Sequence, residues 1–165
     1  MKQTKTLTVV LTAIYGVLVA WIILLKMSPF SQIALLDDLR SVNWIPFHYD
    51  VEHPYHLSEV RNNFLVFIPL GIYFRMLNIG WEKAILYGMA FSFSLEVLQF
   101  VFAVGATDIT DIITNTAGTV IGVIGYNVLA LIFQKREKLD QILCVLASIA
   151  TALLLALVTI LLIMN

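Results

Sequence analysis

Five long apolar stretches punctuate this chain, over residues 7–25, 63–79, 84–104, 111–133 and 141–164. Each approaches the ~20 apolar residues, rising ~1.5 Å apiece, that carry a helix across the hydrocarbon of a bilayer. Lipid offers backbone groups no hydrogen-bond partner, so a chain built this way satisfies them inside helices. The expected fold is therefore an all-α, polytopic transmembrane bundle of about five spans. The second stretch is the weakest of the five, because Pro69, Gly71 and Arg75 interrupt it.

Of the 165 residues, 60% are hydrophobic and 13% charged, half the charged share usual for a soluble domain. The first stretch follows Lys2 and Lys5 and ends at Lys26. It is too long for a signal core and no small-x-small cleavage site follows, so it reads as a retained first helix. No low-complexity tract or boundary divides the sequence, which reads as one domain over 1–165. The net charge of −1 leaves no basic footprint for nucleic acid. A single cysteine, Cys144, excludes an intrachain disulfide and a thiolate metal cage, and fits a small buried apolar residue.

Charge placement orients the spans. With a cytoplasmic N-terminus, the inner side receives Lys2, Lys5, Arg75, Lys83, Lys135, Arg136 and Lys138, and the outer side only Lys26, Arg40 and Arg61. That asymmetry obeys the positive-inside rule. The second span then enters from outside near Arg61–Asn63, beneath an outer loop over 27–62. Glu96 falls about 12 Å, and Asn115 about 6 Å, below the outer boundary at helical rise. The outer loop carries Asn43-Trp44-Ile45-Pro46-Phe47-His48-Tyr49, and such aromatics at a span boundary sit at headgroup level.

Ser92, Glu96 and Gln99 stand at i, i+4 and i+7, on one face of the third span. A carboxylate in mid-bilayer costs roughly 2.5–3.5 kcal/mol on insertion scales, so such a stripe faces protein or water. Two readings stay open for Glu96: a ligand-binding or proton-handling group, or a buried carboxylate that joins helices. Asp108 and Asp111 open the fourth span in a capping-box arrangement, and capping alone accounts for Asp108. It does not account for the continuation. Asp111, Asn115, Gly118 and Gly122 share one face, and Gly118 to Gly122 is a GxxxG pattern that lets helices approach closely. The expected partner is the helix carrying Glu96. Pro69 frees a carbonyl one turn back, near Leu65, for a neighbouring polar side chain.

Three chemistries suit such a site. Glu96, Asp108, Asp111 and Asn115 are oxygen donors of the kind hard cations take, but their spacing matches no metal loop. His48, His53 and His56 lack the geometry of a zinc site. Glu96 and Asp111 are candidates for an acid–base pair acting on a lipid-linked substrate, though no nucleophile motif accompanies them. A small proton- or cation-coupled transporter subunit is the third, and five spans without a repeat then require an oligomer. No metal or other cofactor is expected.

Several segments together resemble the VanZ-like family of bacterial membrane proteins: Asn43-Trp44-Ile45-Pro46-Phe47, the run from Asn63 to Gly71, Ser94-x-Glu96-x-x-Gln99, and Thr107-Asp108-Ile109-Thr110-Asp111-x-x-x-Asn115-Thr116-x-Gly118. The resemblance covers about Val42 to Tyr126. It departs in one respect: many members carry an arginine shortly before the first aspartate, where this chain reads Val104-Gly105-Ala106-Thr107, leaving Arg61 as the substitute cation. The resemblance implies a plasma-membrane protein associated with low-level resistance to the lipid-tailed glycopeptide teicoplanin. The expected ligand is a membrane lipid, a lipid-linked cell-wall precursor or a lipophilic glycopeptide at the outer leaflet. Glu96, Gln99, Asp108, Asp111, Asn115 and Ser92 would line its pocket, with Asn63 and Arg61 at the mouth and Pro69, Gly71, Gly118 and Gly122 packing the wall.

Overall fold

The computed structural model describes residues 2–25, 42–47, 56–104 and 107–164. Among them are five helices, α1 (Lys2–Leu25), α2 (His56–Met76), α3 (Trp81–Phe102), α4 (Ile109–Phe133) and α5 (Arg136–Met164). Two short strands, β1 (Val42–Asn43) and β2 (Thr107–Asp108), pair in parallel. By length and composition, Thr4–Leu24, Trp81–Phe102, Ile109–Phe133 and Arg136–Ala156 are able to cross a membrane. The fold is an all-α polytopic bundle.

Contacts between helices give their directions. Ile23 packs with Phe67, and Leu11 with Met76, so α1 and α2 are antiparallel. Gly118 lies against Phe64 and Gly122 against Ile68, so α2 and α4 run the same way. Gly88 meets Thr119 and Ser92 meets Asn115, which makes α3 and α4 antiparallel. The up-and-down alternation gathers Lys5, Arg75, Lys83, Lys135, Arg136 and Lys138 at one end. Arg61, Asp108 and Asp111 sit at the other. The positive-inside rule assigns the basic end to the cytoplasm.

α2 has 21 residues, long enough to span, but its Arg, Asn and Pro content keeps it less apolar than its neighbours. The packing supplies the reason. α1, α3 and α4 all pack against it, so little of its perimeter needs to suit lipid. Its start at His56 lies seven residues before the apolar stretch at 63, which places Arg61 and Asn63 within the helix. α5 likewise begins at Arg136, ahead of residue 141. In both cases polar residues extend the helix beyond its apolar part, where water satisfies side chains while the backbone bonds continue.

The α2–α4 seam is built on three glycines. A Cβ on Gly118 would run into the carbonyl oxygen of Phe64, one on Gly122 into that of Ile68, and one on Gly71 into that of Thr119. The GxxxG face therefore packs against α2, correcting the expectation that it meets the helix bearing Glu96. Periodicity marks a close-packing face but not the neighbour that fills it. Pro69 also departs slightly from expectation: the hydroxyl of Tyr15 donates to the carbonyl of Val66 at 2.7 Å, one residue beyond Leu65.

The basic end is tied by its own polar links. Arg75 donates from Nε to Asn127 Oδ1 at 3.1 Å and from Nη1 to the carbonyl of Ile79 at 2.6 Å. Tyr126 donates its hydroxyl to Asp140 at 2.7 Å. Cys144 is buried, with its sulfur 3.8 Å from Thr8 Oγ1, in keeping with a packing role.

Overpacking this seam should cost about 1–3 kcal/mol. Gly122→Ala is expected to lower the melting temperature of the detergent-purified protein. Gly125→Ala, where nothing lies within 4 Å of the added Cβ, should leave it unchanged or raise it, since alanine favours the helix by up to about 1 kcal/mol.

Candidate functional site

At the end opposite the basic cluster, segments distant in sequence converge on the α3–α4 hairpin. α3 ends with Ala103 in the left-handed region, φ 55, and β2 follows before α4 begins. Asp108 is the N-cap of α4: its Oδ1 accepts from the amide of Thr110 at 2.7 Å. Its Oδ2 accepts from Asn43 Nδ2 at 3.1 Å. The capping reading of Asp108 therefore holds, and the same carboxylate also fastens the outer loop.

Three further bonds lock that loop segment. β1 pairs with β2 in the register Val42–Thr107 and Asn43–Asp108. Asn43 Oδ1 accepts from the amide of Ile45 at 3.1 Å, forming a side-chain turn. The amide of Phe47 donates to Thr110 Oγ1 at 3.0 Å. Held in this way, Trp44 stands 74% exposed, beside exposed Ile45 and Phe47.

Beneath this clamp runs the polar stripe of α3. Glu96 is 1% exposed, and its Oε2 accepts the backbone amide of Asp108 at 2.9 Å. Thr107 Oγ1 donates to the carbonyl of Glu96 at 3.2 Å. One turn deeper, Asn115 Nδ2 donates to Ser92 Oγ at 2.9 Å, and Thr119 Oγ1 donates to the carbonyl of Asn115 at 3.1 Å. Gly88 lies a turn further still, under the side chain of Thr119. Gln99 turns instead to α1, donating to the carbonyl of Ile23 at 3.2 Å.

A protein-family model described as VanZ/LLP1 matches residues 12–134, more than half of the chain. The chain belongs to the VanZ/LLP1 family. It is 32% identical over 154 residues to Protein VanZ of Enterococcus faecium, covering 92% of each sequence. No solved structure matches it. The matched VanZ/LLP1 segment runs from within α1 to the end of α4, so it contains the whole α3–α4 site and leaves α5 outside.

Three carbonyl or carboxyl oxygens of the polar stripe are buried with no hydrogen-bond partner among the described residues, Glu96 Oε1, Gln99 Oε1 and Asn115 Oδ1, as are Thr116 Oγ1 on α4 and Trp21 Nε1 on α1. A buried acceptor left open costs about 1–3 kcal/mol. All three stripe oxygens belong to residues singled out from the sequence. The amide oxygens of Gln99 and Asn115 only accept, while a carboxyl oxygen such as that of Glu96 accepts when ionised and can donate when protonated. The seam around them is packed, with Asn115 fully buried, and the three side chains turn to Asp108, Ile23 and Ser92 rather than lining an open pocket. Asp111 is half-buried in the first turn of α4.

Arg61 and Asn63 are not drawn into this network. Arg61 is exposed and its guanidinium donates to Asn62 Oδ1 next to it, at 3.3 and 3.4 Å. Among the described residues, no three His, Cys, Asp or Glu side chains form a group able to hold a metal. His48 and His53 lie outside the described residues, as does the side chain of His56. Thr107, Thr110 and Thr119 were missed as site residues, and Asn43 stood only in a motif. A polar residue with a loop-turn spacing beside Trp44 was the available signal for Asn43. Nothing in the spacing signals that Thr110 receives an amide from another segment.

The clamp makes a local prediction. Thr110→Val removes the acceptor for Phe47, so the Phe47 amide should exchange with deuterium several times faster. A cycle of Asn43→Ala and Asp108→Ala should show a coupling energy of about 0.5–3 kcal/mol in thermal unfolding, as bonded neighbours do.

Proposed function

We propose that this chain is a plasma-membrane protein that holds an amphiphile, a cell-envelope lipid or a lipid-tailed glycopeptide, at the outer leaflet. By doing so it lowers the access of teicoplanin-like molecules to their target. The observation that carries this reading is the fastening of an exposed aromatic segment, Trp44 to Phe47, directly over Glu96 by way of Asp108 and Thr110. Trp rings favour the headgroup zone, with an apolar body and a polar edge. An amphiphile's headgroup meets that segment in the same zone, above the hairpin that the Glu96–Asp108 bond holds together.

The family membership supports the link to glycopeptides, since the VanZ-like resemblance implies it. Binding at the exposed aromatic segment is preferred to acid–base catalysis because Glu96 is only 1% exposed, inside a packed seam. A general base must instead be free to reach its substrate's proton.

Expressed in a susceptible bacterium, the chain should raise the inhibitory concentration of teicoplanin severalfold. Glu96→Gln and Trp44→Ala should each abolish that increase with membrane abundance unchanged. Full protection by both variants, or collapse of abundance in Glu96→Gln, would show the cluster to be structural.

A further inference from the structure

Away from the outer junction, two cavities adjoin at the basic end of the bundle, and Met76 lines both. The first is a cleft of about 270 Å³ between α1, α2 and α5, walled by Tyr15, Pro69, Tyr73, Leu143, Ala147 and Leu154 among others. From Leu143 to Leu154 it follows α5 for about 16 Å at helical rise, close to half of the ~30 Å hydrocarbon core. Next to the cleft, α5 is apolar and exposed at Val145, Ile149 and Leu153, so its natural surroundings are lipid chains.

The second cavity, about 220 Å³, has the opposite character. Lys5 and Arg136 line it together with Glu137 and Asp140, and Thr4, Asn78 and Gln141 add neutral hydrogen-bonding groups. Two cations and two carboxylates around one small space suit a headgroup that itself carries both signs. The phosphate of such a headgroup pairs with Lys5 and Arg136, and its ammonium with Glu137 and Asp140. Asp140 Oδ1 already accepts from Tyr126, which fixes that carboxylate and leaves its second oxygen for the ligand.

We infer that the joined cavities bind one phospholipid of the basic-end leaflet, with a chain in the α1–α2–α5 cleft and a phosphate–ammonium headgroup in the polar cavity. The site is separate from the outer junction. It is also built on α5, which lies outside the residues 12–134 that the family model matches. A cleft of about one leaflet's depth ending at a pocket with two cations and two carboxylates suits an amphiphile with an apolar chain and a headgroup of both signs.

The test uses the full chain reconstituted in vesicles of equal parts phosphatidylethanolamine and phosphatidylglycerol. The protein is extracted in mild detergent and its retained lipid measured by native mass spectrometry. The wild type should keep one phospholipid, with phosphatidylethanolamine enriched severalfold over phosphatidylglycerol. Lys5→Gln with Arg136→Gln should reduce retention of both lipids. Glu137→Gln with Asp140→Asn should remove the preference and leave phosphatidylglycerol bound. Ala147→Trp, which fills the cleft, should abolish retention. The headgroup variants sit at the helix starts, so they report on the site even if Ala147→Trp fails to fold. No retained lipid in the wild type, a preference for phosphatidylglycerol, or retention indifferent to the paired charge substitutions would overturn the proposal.

Discussion

The seam between α2 and α4 is the contact on which the remaining packing depends. Carbonyl oxygens of Phe64 and Ile68 rest on Gly118 and Gly122, and that of Thr119 on Gly71. Contacts of this type, where a Cα–H points at a carbonyl, contribute perhaps ~0.5–1 kcal/mol each. Their larger effect is geometric. Between lipid-embedded helices there is no water to expel, so association rests on close packing. Drawing α2 and α4 together leaves α2 room for α1 and α3 on its other sides, and that enclosure lets a helix with two arginines and a proline sit inside a membrane bundle.

From this seam outward, most polar groups find a backbone or side-chain partner, on a neighbouring helix or one turn back along their own. On the α3–α4 side, Gly88, Ser92 and Glu96 meet Thr119, Asn115 and Asp108 in turn. At the basic end Arg75 and Tyr126 spend their donors on Asn127, Ile79 and Asp140. Against that background the open oxygens of Glu96, Gln99 and Asn115 stand out. They are concentrated at the end where the aromatic segment is attached, while the rest of the interior is largely paired.

Much of this was legible in the residues. Apolar length announced the helices, and the 3.6-residue period put Ser92, Glu96 and Gln99 on one face. The cap at Asp108 was readable because capping is a local interaction, settled within three residues. What was not legible was who faces whom. The glycine face of α4 was assigned to α3 because polar residues share it, yet Asn115 turns to α3 and the glycines to α2, less than half a turn apart. The Asn43–Asp108 bond joins positions 65 residues apart, and no local pattern encodes such a distance. Arg61, proposed as a stand-in cation, is engaged by the neighbouring Asn62 instead.

The bond from Glu96 to Asp108 reaches the main chain, not the aspartate side chain. That distinction separates two kinds of dependence at one position. The Asn43 bond and the helix cap need the carboxylate at 108 and fail with most replacements. The Glu96 link needs only an amide hydrogen, which every amino acid but proline supplies. Sequence drift at 108 can therefore loosen the aromatic segment, which keeps its strand pairing and its bond to Thr110, while α3 stays joined to the start of α4.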